Sequence, residues 1–223
     1  MTEWERARTS EQKESREKEI LQAAKRLLEE KSYESIRFSD LADLVTFSRA
    51  NIYKYFDSKE EVYLSLLADE ILKFAIGAEE ILNHKAISQS IGIDNFCSTW
   101  TDLLSSEKNL LLLLSMTGTI LEKNCSDEIL LQSKTSMNIA IQNHLIPSFS
   151  LYFPTLSSLE ISELINNLVV FANGLYSLCG LNENQKNLLR ANGMEDLISE
   201  FSSSYKRITK IYLQGFLNQE KEI

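Results

Sequence analysis

The side chains best suited to chemistry in this chain form a polar and basic run, S-R-A-N-I-Y-K-Y-F-D-S-K-E, from Ser48 to Glu60. An arginine can donate two parallel hydrogen bonds to O6 and N7 of guanine, and an asparagine can pair in a similar way with adenine. Hydroxyl, amide and ammonium groups bind phosphate oxygens, which fixes orientation without reading base sequence. The run therefore predicts contact with double-stranded DNA, and the candidates to meet base edges are Arg49, Ala50 and Asn51.

Two short apolar patterns must position this run. The residues of the first share one face of a helix, because they recur at spacings of three and four: Phe38, Leu41, Ala42 and Val45. In the second, Ile52 and Phe56 lie four residues apart. Segments of about ten residues are too short to persist as isolated helices, so they must pack on each other and on longer neighbours. Two short helices across a tight turn are typical of a helix-turn-helix motif.

Longer helices are predicted on both sides of this motif. The first spans residues 10–31, and the helix after the motif opens with Ser58 and Glu61 at capping-box spacing. Its long apolar stripe would link the motif to the rest of the chain. Either Ser35 or Ser39 is expected to cap the second helix.

The remainder is predicted to be a helical bundle. Two prolines and seven glycines among 223 residues leave room for long helices. The predicted segments are separated by short breaks and cover residues 91–104, 107–123, 127–149, 158–178 and 195–217. The fold class is therefore all-α, with an N-terminal three-helix helix-turn-helix domain and a C-terminal helical bundle.

The charge is distributed unevenly along the chain. The formal net charge is −9, of which residues 1–62 contribute −2 and the remainder −7. The segment 35–59 carries +1. An acidic body around a weakly basic segment would focus DNA contact onto one small face, so the charge permits DNA binding without demanding it.

Cysteine usage and hydropathy limit the remaining classes. The chain has three cysteines, Cys97, Cys125 and Cys179, and they lack paired spacing. Neither a disulfide framework nor a zinc site is therefore indicated, and no metal or cofactor is expected. The most apolar run, 109–121, is shorter than the roughly 20 residues that a membrane span needs. A cytoplasmic location without a membrane partner is expected.

The pattern of the motif resembles the DNA-binding domain of TetR-type transcriptional regulators. The family signature Y-x-Y-F-x-S-K-E occurs from Tyr53 to Glu60, and the resemblance extends over about residues 16–76. Three residues depart from the family pattern: Arg37 replaces a capping threonine, Thr46 the turn glycine and Asn51 a threonine. The resemblance implies a homodimer that binds a palindromic operator and responds to a small-molecule effector.

The resemblance also implies which side chains face DNA. It makes phosphate contacts of Ser48, Asn51, Tyr53, Tyr55 and Lys59, while the amide end of the second helix can face a further phosphate. The full set of predicted DNA contacts is Arg37, Ser39, Ser48, Arg49, Ala50, Asn51, Tyr53, Lys54, Tyr55 and Lys59.

The expected division is a polar tail over 1–15, a DNA-binding domain over 16–76 with the reader motif at about 39–58, and a ligand-binding and dimerisation domain over 77–223. An effector pocket between bundle helices would combine apolar walls with a few polar groups. The candidates are Phe96, Trp100, Met116, Thr117, Asn138, Tyr152, Phe171, Asn173 and Tyr176. For each of them alone, plain core packing is the competing interpretation.

The last two long helices carry apolar residues on more than one face, so they need cover from more than one side. Dimerisation through a four-helix bundle, which the family resemblance implies, would supply it. A two-fold dimer would place its two reading helices about 34 Å apart, one turn of DNA. The predicted interface residues are Leu164, Leu168, Phe171, Leu175, Phe201, Tyr205, Ile208 and Tyr212.

Catalysis has little support in the sequence. His84 and His144 are the only histidines, and neither belongs to a metalloprotease motif. No nucleophile elbow, P-loop or dinucleotide-binding glycine pattern occurs. The sequence therefore predicts a ligand-responsive transcriptional regulator, in the first instance a repressor, and no enzyme. The alternative is a helical ligand- or partner-binding module whose DNA reader is vestigial.

Overall fold

The structure is a computed structural model that describes residues 3–88 and 92–219. Every regular element within those residues is helical, which confirms the predicted all-α class. The first four helices are α1 (Glu3–Glu30), α2 (Phe38–Ala42), α3 (Arg49–Ile52) and α4 (Lys59–Ser88), with a 3-10 turn at Tyr33–Ser35. Because α1 begins earlier than residue 10, the predicted polar tail is helical from residue 3.

The helices that follow in the described part of the chain are α5 (Ile93–Ser106), α6 (Lys108–Met116), α7 (Asp127–Ala140), α8 (Ile146–Tyr152), α9 (Ser158–Cys179), α10 (Glu183–Ala191) and α11 (Phe201–Gln219). Two π-helical segments, Thr117–Leu121 and Ile141–Leu145, follow α6 and α7. The predicted segment 127–149 continues to Tyr152, and the chain leaves the helix at Phe153. Pro147 interrupts nothing, because a proline in the first turn of α8 needs no hydrogen-bond partner for its nitrogen.

The described residues divide into two compact units. The first comprises 3–70 and 116–137, and the second comprises 71–88, 92–115 and 138–219. The boundaries between them along the sequence fall within α4, α6 and α7. The sequence interpretation placed 116–137 in the body, whereas these residues pack with the helix-turn-helix.

Buried apolar side chains hold the short helices of the first unit. Leu41 of α2 and Ile52 of α3 are fully buried, together with Ile20 of α1. Full burial of such a side chain is worth about 1.5–3 kcal/mol, and this packing holds two helices of five and four residues. The hydroxyl of Tyr63 donates to the carbonyl of Ala24 at 3.2 Å and ties α4 to α1.

An aromatic cluster forms the core of the second unit. Its rings approach within 4.9–6.4 Å of one another, mostly edge to face, and belong to Phe96, Trp100, Phe149, Tyr152 and Phe153. The indole Nε1 of Trp100 donates to the Tyr205 hydroxyl at 2.9 Å, and that hydroxyl donates to the carbonyl of Leu168 at 3.0 Å. This relay joins α5, α11 and α9.

Among the described residues, no single helix has both the length and the apolar character of a membrane span. The pair Ser158–Cys179 and Glu183–Ala191, bent by 70°, meets those criteria only when taken together.

Candidate nucleic-acid interface

A carboxylate, and not one of the predicted serines, closes the first turn of α2. Asp40 accepts a hydrogen bond from the backbone N–H of Arg37 at 3.0 Å and pairs with Lys31 at 3.3 Å. The hydrogen bond from Arg37, helped by the Lys31 ammonium, holds the pKa of Asp40 below its ordinary value. Ser35 instead donates to a carbonyl of the preceding turn, and Ser39 is half-buried. The side chain of Arg37 is exposed at this end of α2.

The first residues of α3 face solvent. Ser48, Arg49 and Ala50 are exposed, and Asn51 is half-buried. The carbonyl of Ser48 accepts from the Asn51 N–H at 2.8 Å, whereas its hydroxyl makes no capping bond. The hydroxyl is therefore not used by the helix itself.

Tyr53 is held in place by a stacked ring and by a hydrogen bond. Its ring stacks on Phe38 with centroids 4.6 Å apart and planes inclined by 26°, yet the residue remains 44% exposed. Arg49 Nη2 donates to the Tyr53 hydroxyl at 3.2 Å. This contact makes the arginine and the tyrosine one preorganised polar unit on the outer face of α3.

The residues that follow α3 differ in exposure. Lys54 is exposed, while Tyr55 is half-buried with its ring 6.4 Å from that of Phe47. Tyr55 also lines an open groove whose other walls belong to α1: Gln12, Ser15, Arg16 and Glu19.

Lys59 is engaged inside the protein. Its ammonium donates to the carbonyl of Tyr33 at 3.1 Å and to that of Ile36 at 3.0 Å, and lies 4.3 Å from the Tyr33 ring centroid. An ammonium group has three donors, so two of them hold the turn between α1 and α2. Lys59 thus has a structural role in this turn, and its contact with a DNA phosphate stays a prediction.

Two side chains of α1, missed by the sequence interpretation, hold the turn between α2 and α3. Arg16 Nη1 donates to the Thr46 hydroxyl at 2.9 Å, and its guanidinium lies 4.6 Å from the centre of the Phe47 ring. Glu19 accepts from the backbone N–H of Thr46 at 2.5 Å and pairs with Arg16 at 3.3 Å. We call Arg16, Glu19, Thr46 and Phe47 the turn clamp.

A second set of contacts holds the start of α4. Glu61, which is 2% exposed, accepts from the backbone N–H groups of Asp57 at 2.6 Å and Ser126 at 2.8 Å. The Ser58 hydroxyl donates to the carbonyl of Asn124 at 2.9 Å. We call Ser58, Glu61, Asn124 and Ser126 the base clamp.

The base clamp sets the ionisation of its neighbours. Burial favours the neutral form of Glu61, but the hydrogen bonds from Ser126, Asp57 and Ser58 outweigh it and hold the pKa of Glu61 below its ordinary value. Burial, followed by the charge of Glu61, raises the pKa of the Cys125 thiol to about 12. At neutral pH the Glu61 side chain of the clamp is therefore a carboxylate, and the neighbouring Cys125 carries a protonated thiol.

The predicted ligand residues do not converge on one place. Phe96, Trp100 and Tyr152 meet in the aromatic cluster of the second unit. The rest are spread over other elements, and Asn138 is exposed: Met116 and Thr117 lie in the first unit, Phe171 packs on Tyr212, and Tyr176 packs on Phe201. The buried side-chain oxygen of Asn173 has no hydrogen-bond partner among the described residues.

Three of the predicted interface residues are wrong for contact with a second subunit. Leu164, Leu168 and Tyr205 are fully buried within the chain. The other predicted residues are half-buried: Phe171, Leu175, Phe201, Ile208 and Tyr212. The outward-facing large apolar residues described on α9 and α11 are different ones, with exposures of 55–79%: Leu159, Val170, Leu178 and Ile211.

The two histidines lie in different surroundings. His144 Nδ1 lies 2.6 Å from Glu79 Oε2 on a half-buried face, and His84 is exposed. Within the described residues, no group of three or more His, Cys, Asp or Glu side chains is arranged to hold a metal ion.

The helical fold and the exposed polar face of α3 define the class, a helix-turn-helix regulator that binds DNA. Residues 20–66 match the family model for bacterial regulatory proteins of the tetR family, and residues 74–220 match the model for the tetracyclin repressor-like C-terminal domain. The second match covers more than half of the 223 residues. The chain belongs to the TetR family of transcriptional regulators, which confirms the resemblance in the reader sequence.

The chain matches individual curated relatives over less than half of their length. The chain is 48% identical over 60 residues to the HTH-type transcriptional regulator EthR of Mycolicibacterium smegmatis, which is 27% of each chain. It is 30% identical over 83 residues to the uncharacterized HTH-type transcriptional regulator YfiR of Bacillus subtilis, or 37% of this chain and 40% of that protein. A solved structure from Mesorhizobium loti MAFF303099, assigned to the TetR family, has a TM-score of 0.49 at 14% identity and covers 92% of this chain and 96% of that chain.

Proposed function

We propose that the chain is a ligand-responsive repressor that binds a palindromic operator as a homodimer and is released by a small effector. The observation that carries the proposal is the outer face of α3, where Arg49 and Tyr53 are held together above the Phe38 ring. Arg49 would read a guanine. Tyr53 and the exposed hydroxyl of Ser48 would bind phosphates and set the register.

The base clamp suggests how an effector is sensed. Residues 117–126 lie within the matched C-terminal domain, yet they pack with the reader. They contact Ser58, just before α4, and Glu61 in its first turn. Helix α4 also runs unbroken from Lys59 to Ser88. A ligand that displaces either element would shift the base of the reader. Such a ligand must prefer the displaced state, because equal affinity for both states shifts nothing.

The exposed apolar residues of α9 and α11 are proposed to face the second subunit. Val170→Asp is expected to give a monomer in light scattering, because a charge cannot be buried unpaired in an apolar interface. Ile139→Asp on α7, where the wild-type residue is 50% exposed, is the matched control and should stay dimeric. A dimeric Val170→Asp protein would move the interface elsewhere.

Selection of operator sites from randomised DNA, followed by binding measurements over a range of salt, tests the regulatory function. We expect a two-fold symmetric site and an affinity that falls as salt rises. A compound screen for release from that site then tests the effector response. Repression is tested separately with a reporter gene placed behind the selected operator.

The second candidate is a helical ligand- or partner-binding module with a vestigial reader. The internal engagement of Lys59 and the net charge of +1 over residues 35–59 favour it. Failure to enrich any DNA sequence, with a stable and folded protein, would favour this second function.

A further inference from the structure

One residue in the turn between α2 and α3 departs from the family pattern. The family pattern places glycine there, whereas this chain has Thr46. Among the described residues, Gly193 alone has a positive φ, so Thr46 adopts an ordinary backbone conformation. A turn without glycine still has to set the angle between the two short helices, and contacts from outside the turn can do so.

Helix α1 supplies those contacts. Glu19 binds the Thr46 backbone N–H, Arg16 binds the Thr46 hydroxyl, and the Arg16 guanidinium covers the Phe47 ring. Glu19 and Arg16 also bind each other, so the four groups form a closed set. The hydrogen bond from Thr46, with help from Arg16, keeps the pKa of Glu19 below its ordinary value, so the carboxylate is charged at neutral pH.

We propose that Glu19 and Arg16 are positioning residues for DNA recognition, which lock the α2–α3 turn and thereby the orientation of α3. The inference rests on the proposed DNA-binding function. It assigns an acidic side chain to the support of binding to a polyanion, without contact between that side chain and DNA.

The sign of the effect separates positioning from charge. On electrostatic grounds alone, removal of a negative charge close to the reader should tighten DNA binding. If Glu19 positions the turn, its removal weakens binding instead. Arg16 has the opposite ambiguity, because an arginine beside Tyr55 in an open groove could also bind a phosphate.

The experiment measures dissociation constants for the selected operator by fluorescence anisotropy, from roughly 50 to 200 mM salt. Glu19→Ala should weaken binding about tenfold, the effect of one lost charge-assisted hydrogen bond, and Glu19→Gln should weaken it less. Glu14→Gln is the matched control on the same helix, where the carboxylate pairs with exposed Lys18. It should bind as well as or slightly better than wild type.

Arg16→Met supplies the second arm. As a positioning residue, its loss should weaken binding while the dependence of log Kd on log salt keeps its slope. A slope that falls by about 0.9 would identify a phosphate contact and overturn the assignment for Arg16. Binding by Glu19→Gln equal to or tighter than that of Glu14→Gln would overturn the assignment for Glu19.

Amide hydrogen exchange without DNA makes the test independent of the proposed function. Glu19→Gln should speed exchange at Thr46 and in α3, with unchanged exchange in α9. Unchanged exchange at α3 would overturn the inference even if DNA binding exists. If Glu19→Gln speeds exchange at α3 but the wild-type protein binds no DNA, the positioning role of the turn clamp stands and the proposed regulatory function fails.

Discussion

The two clamps of the first unit use the same chemistry in different surroundings. In each, a glutamate accepts a backbone N–H from a segment distant in sequence, Glu19 from Thr46 and Glu61 from Ser126. The Glu19 side chain is 26% exposed to solvent, whereas Glu61 is 2% exposed. Water can replace a lost acceptor at the surface but not in the interior. Loss of the Glu19 contact should therefore alter the orientation of α3 with little loss of stability, whereas loss of the Glu61 contact should destabilise the fold.

Loss of the buried carboxylate should give the largest effect. Glu61→Ala leaves the part-buried N–H groups of Asp57 and Ser126 without their acceptor, at about 1 kcal/mol each, the lower end of the range for a lost partner, so the free energy of unfolding should fall by roughly 2 kcal/mol. Urea denaturation followed by circular dichroism measures it. Glu80→Ala, an exposed glutamate on the same helix, should change stability by less than about 0.5 kcal/mol. Equal stability of the two variants would contradict the difference between the clamps.

The lysines of the reader provide the next test. Lys59→Met removes the bonds to the carbonyls of Tyr33 and Ile36 and should lower the free energy of unfolding by about 1–2 kcal/mol. The salt dependence of its DNA binding should keep the wild-type slope. Lys54→Met, at an exposed lysine, should show the reverse pattern, with unchanged stability and a slope reduced by about 0.9. A reduced slope for Lys59→Met would show that Lys59 also contacts a DNA phosphate.

Tyr53→Phe isolates the hydroxyl of the reading face. The ring still stacks on Phe38, so stability should stay within about 0.5 kcal/mol. Loss of one hydrogen bond to a charged phosphate should weaken operator binding about tenfold. Binding titrations at one salt concentration measure this change. Wild-type affinity would exclude the Tyr53 hydroxyl from the interface.

The acid dependence of stability should give the smallest effect. The folded pKa of Glu61 is lowered, so its contribution is present above the ordinary glutamate pKa and is lost as pH falls through the folded pKa. Urea denaturation from roughly pH 3 to pH 7 should therefore show a shallower pH dependence for Glu61→Gln than for wild type. Parallel curves would show that Glu61 carries no share of the acid sensitivity.

Local spacing predicted the reader well because its elements are local. Residues three and four apart share a helix face, and this rule placed Leu41, Ile52 and Phe56 in the core. It also placed Phe38 and Ala42 there, which are half-buried, whereas the exposed position of Tyr53 came from the family resemblance. The same rule cannot find the clamps, which join residues 27 apart in one case and 65 apart in the other. Only the fold brings such partners together.

The body shows a second limit of the sequence. Apolar residues on several faces of α9 and α11 required cover, but periodicity does not say whether the same chain or a partner provides it. Tyr205, predicted at the subunit interface, is instead a core residue, because its hydroxyl bonds Trp100 and Leu168 of the same chain. Likewise, Lys59 matches the family signature, yet its carbonyl partners lie on a turn that the signature does not contain.

The Trp100 relay also gives the second unit an optical signal of its own. The chain contains two tryptophans, Trp4 and Trp100, so a Trp4→Phe variant emits from a single indole. That indole is 2% exposed and its N–H binds the Tyr205 hydroxyl, which makes its emission sensitive to any rearrangement among α5, α9 and α11. A compound that enters the aromatic cluster can thus be detected by intrinsic fluorescence, with neither a dye nor DNA present.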